Sequence, residues 1–472
     1  MVDPSIRERQ SEQVTEVLEG DYLVVGAGAM GMAFTDALID HADVRVVMVD
    51  RRHGVGGHWL DAYPFVRLHQ ASAFYGVAST LLGDGSLQRD GPEAGLHERA
   101  TAPEICAYYA RVLRERMVAS GKVTFYPSCE YVGEGRFESL VSGRQYEVRG
   151  TPRVVDAHYL APKIPKVSPA PFGVTDGARV IPVNDLVELD GAPSQFVVVG
   201  SGKTATDACI WLLGNGVDPD AICWVRPRDP WMLNRAMIQP DPAVFISAGA
   251  DTMEAAAEAT SADDMFLRLE ERGVLLRIDR SVFPTMAKTP TLAQWELDLL
   301  GTLENVVRLG HVKQVEPNRL VLDEGEVATA PGAVVVHCAA PGLRYPPLVP
   351  IWGDGTMTLQ PIRTGFPCFG AALAGYVEAT VDDDDEKNRL CPPSPYCNTT
   401  TDWARMQVLG GRASASFGSD PDIKAWADEV PLNPARTPAS LADDPALIGA
   451  VARLRGVAPA GMARMAELAG MA

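Results

Sequence analysis

Two strand, glycine turn and helix units recur along the chain, and they constrain its fold more than any other feature. The first is YLVVGAGAMGMAFTDAL, from residue 22, and the second is QFVVVGSGKTATDACIWLL, from residue 195. In each unit a short β-branched run leads into closely spaced glycines and a helical stretch, as in the opening of a dinucleotide-binding fold. The sequence therefore predicts an α/β protein with two Rossmann-like dinucleotide-binding domains, the second inserted in the first.

A chain of 472 residues is too long for a single hydrophobic core, which agrees with this division. The stretch GAVVVHCAAPGL is interpreted as a late strand that returns the chain to the first sheet, and the run at 382–386 as solvated charge. Residues 235–300 and the GFPCFGAALAGY stretch are expected to form pocket walls. The predicted divisions are a loosely held leader (1–20), the first domain (21–190), the inserted domain with its helical elaboration (191–325), the returning part of the first domain (326–435) and a C-terminal tail (436–472).

The first glycine turn has the spacing of a pyrophosphate site. Gly26 permits the tight turn, Gly28 lets a pyrophosphate approach the backbone, and Gly31 lets the helix pack on the strand. Asp50 follows Gly31 by nineteen residues, at the end of the buried run VRVVMVD. A carboxylate at that position can accept hydrogen bonds from ribose hydroxyls, so the sequence predicts a dinucleotide at this turn.

The segments RRHGVGGHW and YPFVRLHQ, which follow Asp50, resemble the corresponding segments of the class B flavoprotein monooxygenases, the flavin-containing monooxygenases and their Baeyer–Villiger and N-hydroxylating relatives. The resemblance covers most of the chain up to about residue 345. It implies that the first turn binds FAD, with contributions from Arg51, Gly57, His58, Trp59, Arg67 and His69. It also implies that His58, His69 and Gln70 lie near the flavin ring as candidate catalytic groups.

The second glycine turn is suited to NADPH. Gly200 and Gly202 form the turn, and Ser201, Lys203 and Thr204 offer hydroxyls and a charge to a pyrophosphate. Where an NAD site would place an acidic residue, the next strand ends in WVRPRDPW. Guanidinium groups bind phosphate in a bidentate manner, so Arg226 and Arg228 are predicted to bind the 2′-phosphate of NADPH.

The family's FxGxxxHxxxY fingerprint is altered here. Aligned on GARVIPVNDL, its histidine falls on Pro182 and its terminal aromatic residue on Leu186. The resemblance implies a monooxygenase that acts on a small organic molecule through a C4a-(hydro)peroxyflavin. Two alternatives stay open: an NADPH-dependent flavoprotein reductase or dehydrogenase without oxygen insertion, which the altered fingerprint would suit, and a non-catalytic nucleotide-binding protein.

The composition excludes several other classes. The net charge of −19 opposes binding to nucleic acid or to an anionic membrane. The N-terminus lacks the apolar stretch of a signal peptide, and the eight cysteines lack zinc-type spacing or the close pair of a flavoprotein disulfide reductase. We therefore expect a cytoplasmic protein without a metal site, whose partners are a small-molecule substrate and O2; the oligomeric state stays open.

Overall fold

The computed structural model describes residues 15–340 and 342–471. The strands of the first half of the chain are β1 (Glu16–Glu19), β2 (Tyr22–Val25), β3 (Val46–Asp50), β4 (Gly76–Val77), β5 (Thr80–Leu81), β6 (Val123–Pro127), β7 (Cys129–Gly133), β8 (Arg136–Ser139), β9 (Gln145–Arg149), β10 (Arg153–Asp156), β11 (Gly173–Val174), β12 (Val180–Pro182), β13 (Phe196–Val199), β14 (Ile222–Val225) and β15 (Trp231–Asn234).

The strands of the second half are β16 (Leu275–Arg277), β17 (Thr291–Leu292), β18 (Val306–Val307), β19 (Val312–Glu316), β20 (Arg319–Leu322), β21 (Gly325–Ala328), β22 (Val334–His337), β23 (Trp352–Gly353) and β24 (Thr356–Thr358). The helices are α1 (Ala29–His41), α2 (Ala102–Val112), α3 (Lys203–Gly214), α4 (Pro242–Glu258), α5 (Ala262–Glu271), α6 (Gln294–Leu300), α7 (Pro367–Thr380), α8 (Asp384–Leu390), α9 (Thr400–Phe417), α10 (Pro421–Glu429) and α11 (Pro445–Leu468).

Two mainly parallel sheets carry the two glycine turns. The first has the strand order β23-β24-β10-β2-β3-β6, and the second has the order β12-β22-β13-β14-β18. The strands of the second sheet all lie between β10 and β23 in the chain, so the second dinucleotide-binding fold is inserted in the first. The predicted fold class is confirmed.

Local sequence explains the two β-turn-α units. The runs YLVV and FVVV form the buried strands β2 and β13, because β-branched side chains fit a sheet that is covered on both faces. Helices α1 and α3 begin directly after Gly28 and Gly202. Consequently both helices begin at the carboxyl ends of parallel strands, where open α/β sheets bind their ligands.

The late strand was assigned to the wrong sheet. Val334–His337 pairs in parallel with β12 and β13 of the second sheet, and the first sheet is instead completed by β24 beside β10. A run of buried valines fits a central strand of either parallel sheet, so the sequence pattern does not decide between them. The strand Val180–Pro182 also belongs to the second sheet, although it precedes the division predicted at residue 190.

The described residues nearest the two ends of the chain form regular secondary structure. Residues 1–14 of the predicted leader lie outside the described residues, but Glu16–Glu19 forms β1, which pairs in parallel with β9. At the other end, α11 packs against α4 so closely that a Cβ atom on Gly461 would lie 2.4 Å from the Met253 carbonyl oxygen. The predicted tail is therefore a packed helix in the described part of the chain.

The acidic run at 382–386 is only partly solvated, which corrects the expectation. Asp383 caps α8 by accepting a hydrogen bond from the Glu386 amide, and Asp384 pairs with Arg153 and Lys387. Acidic side chains at a helix N-terminus are stabilised by the helix dipole, which explains their clustering here.

Candidate functional site

A single large cavity, of about 1020 Å³, brings the two glycine turns together. Its wall contains most of the residues that the sequence predicts for the site: Gly26, Gly28, Asp50, Gly57, His58, Trp59, Arg67, His69, Gln70, Gly200, Ser201, Gly202, Lys203, Thr204 and Arg228. Gly31, Arg51 and Arg226 do not lie in this wall. Gly31 lies outside the wall because it packs beneath the first turn, and Arg51 because it is exposed on the protein surface.

The first turn requires its glycines. Gly26 has a φ of +103°, in the region that side chains disfavour, and a Cβ atom on Gly31 would lie only 2.0 Å from the Gly26 carbonyl oxygen. Gly28 precedes α1 without a side-chain cap. The amides of the first helical turn therefore remain available to an anion in the cavity, as at other helix N-termini that bind phosphate.

Asp50 is fixed against this turn. One carboxylate oxygen accepts a hydrogen bond from the Ala27 amide at 2.7 Å, and the other accepts one from the Arg52 amide at 2.8 Å. A carboxylate offers about four lone-pair directions, so these two bonds leave acceptor capacity on the cavity side. The geometry suits a ribose whose hydroxyls donate to Asp50.

The segment after Asp50 forms a short 3₁₀ turn, Gly57–Asp61, at the cavity wall. The indole Nε1 of Trp59 donates a hydrogen bond to the Tyr75 hydroxyl at 2.6 Å, which fixes the ring. His58 lies beside it, with ring centroids 5.1 Å apart. Burial, together with the positive charge of Arg52, lowers the pKa of His58 to about 4, so this imidazole is neutral at physiological pH.

His69 and Gln70 lie in the same wall. His69 is exposed to the cavity, and desolvation within this enclosure, together with the nearby Lys203 and Arg235, lowers its pKa to about 3, so it too is neutral. Gln70 is only 8% exposed, and its carboxamide has no hydrogen bond to a described residue. Its amide opens onto the cavity, so Gln70 can offer hydrogen bonds to a polar edge of a ligand ring.

The second turn presents an open cradle. Gly202 has a φ of −84°, which any residue can adopt, and a Cβ atom placed on it would meet nothing within 4 Å. The hydroxyl of Ser201 is buried without a hydrogen-bond partner among the described residues. Helix α3 begins at this point without a side-chain cap. An extended anionic group such as a pyrophosphate would fill the space and satisfy these donors.

Lys203 is predicted to offer its charge to a pyrophosphate, but its ammonium group already has acidic partners within the protein. It forms a close ion pair with Asp207, one turn later on α3, and lies 3.9 Å from Glu296. Asp207 also accepts a hydrogen bond from the Tyr63 hydroxyl at 2.7 Å. Since Tyr63 belongs to the segment after the first turn, this pair connects the two dinucleotide-binding folds.

The two predicted phosphate-binding arginines are placed differently. Arg226 is 2% exposed, stacks over the Trp224 ring and pairs with Asp229 at 3.1 Å. Arg228 lies in the cavity wall, where it donates a hydrogen bond to the Asn398 side chain at 3.3 Å. Burial and the Asp229 pair therefore argue against direct phosphate contact by Arg226, and the geometry favours Arg228.

Neither position of the altered fingerprint, Pro182 or Leu186, places a polar side chain toward the cavity. Pro182 ends β12, and Leu186 is buried in the apolar cluster beneath the second sheet. The packing of Leu186 explains why an apolar residue occupies this position.

A buried ion cluster was missed by sequence reasoning. Arg235 is fully buried, with Glu93 and Glu296 on either side, and its Nε donates a hydrogen bond to the His69 carbonyl at 3.0 Å. Arg99 also pairs with Glu93, at 2.6 Å. These residues are far apart in the chain, so no local pattern could have identified the cluster.

His158 and Asp156 form a second group that the sequence did not assign. Asp156 ends β10, and the His158 ring contacts its carboxylate closely. This hydrogen bond, opposed by partial burial, raises the pKa of His158. His158 lies in the cavity wall beside Gly26, so its positive charge would face the first turn.

Comparison with known proteins agrees with this architecture. Residues 24–74 match the family of NAD(P)-binding Rossmann-like domains. The uncharacterized proteins Rv2000 and MT2056 of Mycobacterium tuberculosis are each 44% identical to this chain over 436 residues, which cover 92% of this chain and 80% of the relative. None of the described helices is long and apolar enough to cross a membrane.

Among solved structures, ε-caprolactone-bound cyclohexanone monooxygenase aligns with a TM-score of 0.50 and 14% identity, over 86% of this chain and 98% of that one. Cyclohexanone monooxygenase from Rhodococcus sp. Phi1 bound to NADP⁺ aligns with a TM-score of 0.48 and 15% identity, over 80% and 89%. The chain therefore belongs to the same family as these mycobacterial proteins and has the fold of the class B flavoprotein monooxygenases, as its sequence resemblance indicates.

Proposed function

We propose that this protein binds FAD at the first glycine turn and NADPH at the second, and uses them to transfer one oxygen atom from O2 to a small organic molecule. The observation that carries the proposal is that both turns, each with an uncapped helix N-terminus, open into one cavity. Two dinucleotides bound there would have their reactive rings within a shared enclosed space. The cyclohexanone monooxygenase fold supports the same conclusion.

At the first turn, the amides of α1 would bind the FAD pyrophosphate and Asp50 the ribose. Trp59, fixed by Tyr75, and the unpartnered amide of Gln70 would contact the flavin ring. The neutral imidazoles of His58 and His69 can each donate one hydrogen bond and accept one, but their lowered pKa values make them weak proton acceptors at neutral pH.

At the second turn, Gly202 and the amides of α3 would bind the NADPH pyrophosphate. The orphaned hydroxyl of Ser201 would complete its hydrogen bonding there. Arg228, rather than the buried Arg226, would bind the 2′-phosphate, because it is the member of the pair that lies in the cavity wall.

When bound, FAD would accept a hydride from NADPH and, once reduced, activate oxygen. The protein contributes position and exclusion of water. Helices α4, α9 and α11 cover the cavity with apolar side chains, among them Phe245, Trp403 and Met462. Such a cover protects a reactive oxygen species from water.

A reductase without oxygen insertion is the second candidate. It is favoured by the fingerprint positions Pro182 and Leu186, which place no polar group toward the cavity. In that case bound FAD would supply electrons to an external acceptor, or to O2 with release of peroxide.

The two candidates are separated by one spectroscopic experiment. The purified yellow protein is reduced with NADPH without oxygen, and its absorbance is followed after oxygen is admitted. For a monooxygenase we expect bleaching that is faster with NADPH than with NADH, followed by a transient spectrum distinct from oxidised and reduced flavin. One-step reoxidation with stoichiometric peroxide would identify the reductase, and colourless protein that cannot be reconstituted with FAD would exclude both.

We expect flavin retention to weaken as the pH rises. The pKa of His158 is raised above its usual 6.5, so its positive charge is fully present below that value and is lost as the pH rises through the raised pKa. Loss of a charge that faces the pyrophosphate should raise the FAD dissociation constant roughly threefold to tenfold.

This pH dependence is measured by FAD fluorescence titration across about pH 5.5–9, which covers the titration of a histidine whose pKa is raised. The variant His158→Gln should show weaker binding and no such dependence, whereas His53→Gln, at an exposed histidine nearby, should behave as wild type. An unchanged pH profile in His158→Gln would exclude this role for His158.

A further inference from the structure

The cavity extends past the two glycine turns into a region that we call the helical lobe, bounded by α4, α9 and α11. Its wall is mostly apolar. Representative side chains are Phe245, Met253, Trp403, Leu454, Ala458 and Met462. Large apolar pockets that end in a few polar groups typically bind small organic molecules, and the polar groups fix the orientation of the ligand.

Arg363 is the charged side chain that this region of the cavity contains. Among the cavity-lining residues from 238–253 and 363–462, the other side chains are apolar or uncharged. Arg363 lies in the loop between β24 and α7, and its Nη1 donates a hydrogen bond to the Ser414 hydroxyl on α9 at 3.2 Å. The described residues offer it no carboxylate at ion-pair distance.

Arg226 and Arg235 are the buried arginines of the described chain, and both have carboxylate partners, whereas the half-buried Arg363 has none at ion-pair distance. Arg235 lies between two carboxylates, and Arg226 is paired with Asp229. Burial lowers the pKa of Arg363 to about 10, against the opposing effect of Asp428, so the group still carries its charge at neutral pH. A guanidinium group that is partly withdrawn from water, lines an apolar cavity and has one neutral partner is suited to bind an anion there.

We propose that the helical lobe binds an elongated apolar substrate that carries a carboxylate, with the carboxylate bound by Arg363 and Ser414. The planar guanidinium matches a carboxylate with two parallel hydrogen bonds, and the Ser414 hydroxyl can donate a third. The apolar body of the substrate lies along α4, α9 and α11. Phe366 packs against Phe245 at 5.6 Å in the same wall, so the lobe is continuous with the part of the cavity near the first turn.

This inference rests on the proposed function, because it names the class of substrate that the enzyme would oxidise. Its test measures binding alone and does not require turnover. Decanoate and 1-decanol are titrated separately into the flavin-loaded protein, without NADPH, by isothermal calorimetry. The two probes share a chain length and differ in the anionic head. We expect wild type to bind decanoate at least tenfold more tightly, and Arg363→Gln to lose this preference, because charge-assisted hydrogen bonds contribute that much.

Three further variants keep the test decisive. Arg412→Gln removes an exposed arginine two residues before Ser414 on the same helix, and it should keep the wild-type preference. Should Arg363→Gln fail to fold, Arg363→Lys and Ser414→Ala should each reduce the preference by a smaller factor, because each removes part of the hydrogen bonding to the carboxylate.

Three results would overturn the inference. The first is equal binding of decanoate and 1-decanol to wild type, and the second is an unchanged decanoate affinity in Arg363→Gln. The third is loss of flavin from Arg363→Gln with an unchanged preference for decanoate, which would assign Arg363 to the cofactor. Failure of the proposed function is seen separately, as protein that is not bleached by NADPH.

Discussion

Replacement of Arg235 by Met is expected to lower the free energy of unfolding by about 3–5 kcal/mol. Met approximates the length of the side chain but leaves Glu93 and Glu296 buried without their shared cation. It also removes the hydrogen bond to the His69 carbonyl. The loss is measured as a shift of the urea midpoint, and Arg89→Met, at an exposed arginine four residues before Glu93, should leave the midpoint within error.

The same variant should respond to acid with a defined sign. Burial raises the pKa of Glu93, but Arg235 and Arg99 outweigh it and lower the value to about 2. A carboxylate with a lowered pKa stabilises the fold above its usual pKa, and this contribution is lost as the pH falls from about 4.5 towards 2. The difference between wild type and Arg235→Met should therefore shrink with acidification; a difference that grows would contradict the assigned ion pairing.

Gly202→Val is expected to raise the dissociation constant for NADPH by more than about 100-fold while leaving bound flavin in place. A Cβ atom at Gly202 meets no protein atom within 4 Å, so the valine side chain would extend into the space where the pyrophosphate is proposed to lie. The backbone of Gly202 is compatible with any residue, and the change should cost the helix only about 1 kcal/mol as a poorer cap.

The readouts for Gly202→Val are flavin absorbance and the NADPH concentration dependence of flavin reduction. Gly191→Val is the matched control, because Gly191 is exposed in a loop and a Cβ atom there also meets nothing within 4 Å. The flavin of Gly191→Val should be reduced by NADPH with the same concentration dependence as in the wild type. If Gly202→Val bound NADPH as wild type does, the second turn would not be the NADPH site.

The sequence predicted correctly those features that depend on the backbone geometry of neighbouring residues. The turns at Gly26 and Gly200, the strands before them and the helices after them are specified by neighbouring residues. The same reasoning located a pocket wall correctly at α4, because a helix-rich insertion after the second turn was evident from periodicity. The substrate, however, is not encoded in such local patterns.

The failures have a common physical cause, because they depend on contacts between distant parts of the chain. Arg226 is a separate, local case: its register predicts phosphate binding, and this stays a prediction, but its side chain packs on Trp224 and pairs with Asp229 close by in the chain. The roles of Arg235 and Arg363 depend on residues more than fifty positions away. The strand Val334–His337 fits two sheets equally by composition, and only three-dimensional packing decides between them.

The insertion of one fold into the other has a mechanical consequence. The chain leaves the first sheet after β10 and returns to it through the β23–β24 hairpin, whose second strand pairs with β10. The two connecting segments are also bonded to each other, because Lys163 and Gly342 exchange backbone hydrogen bonds at 3.0 Å in both directions. Two connections bonded to each other in this way restrict the relative motion of the two folds: twisting one fold against the other would break the Lys163–Gly342 pair, whereas bending about the paired segments would leave it intact.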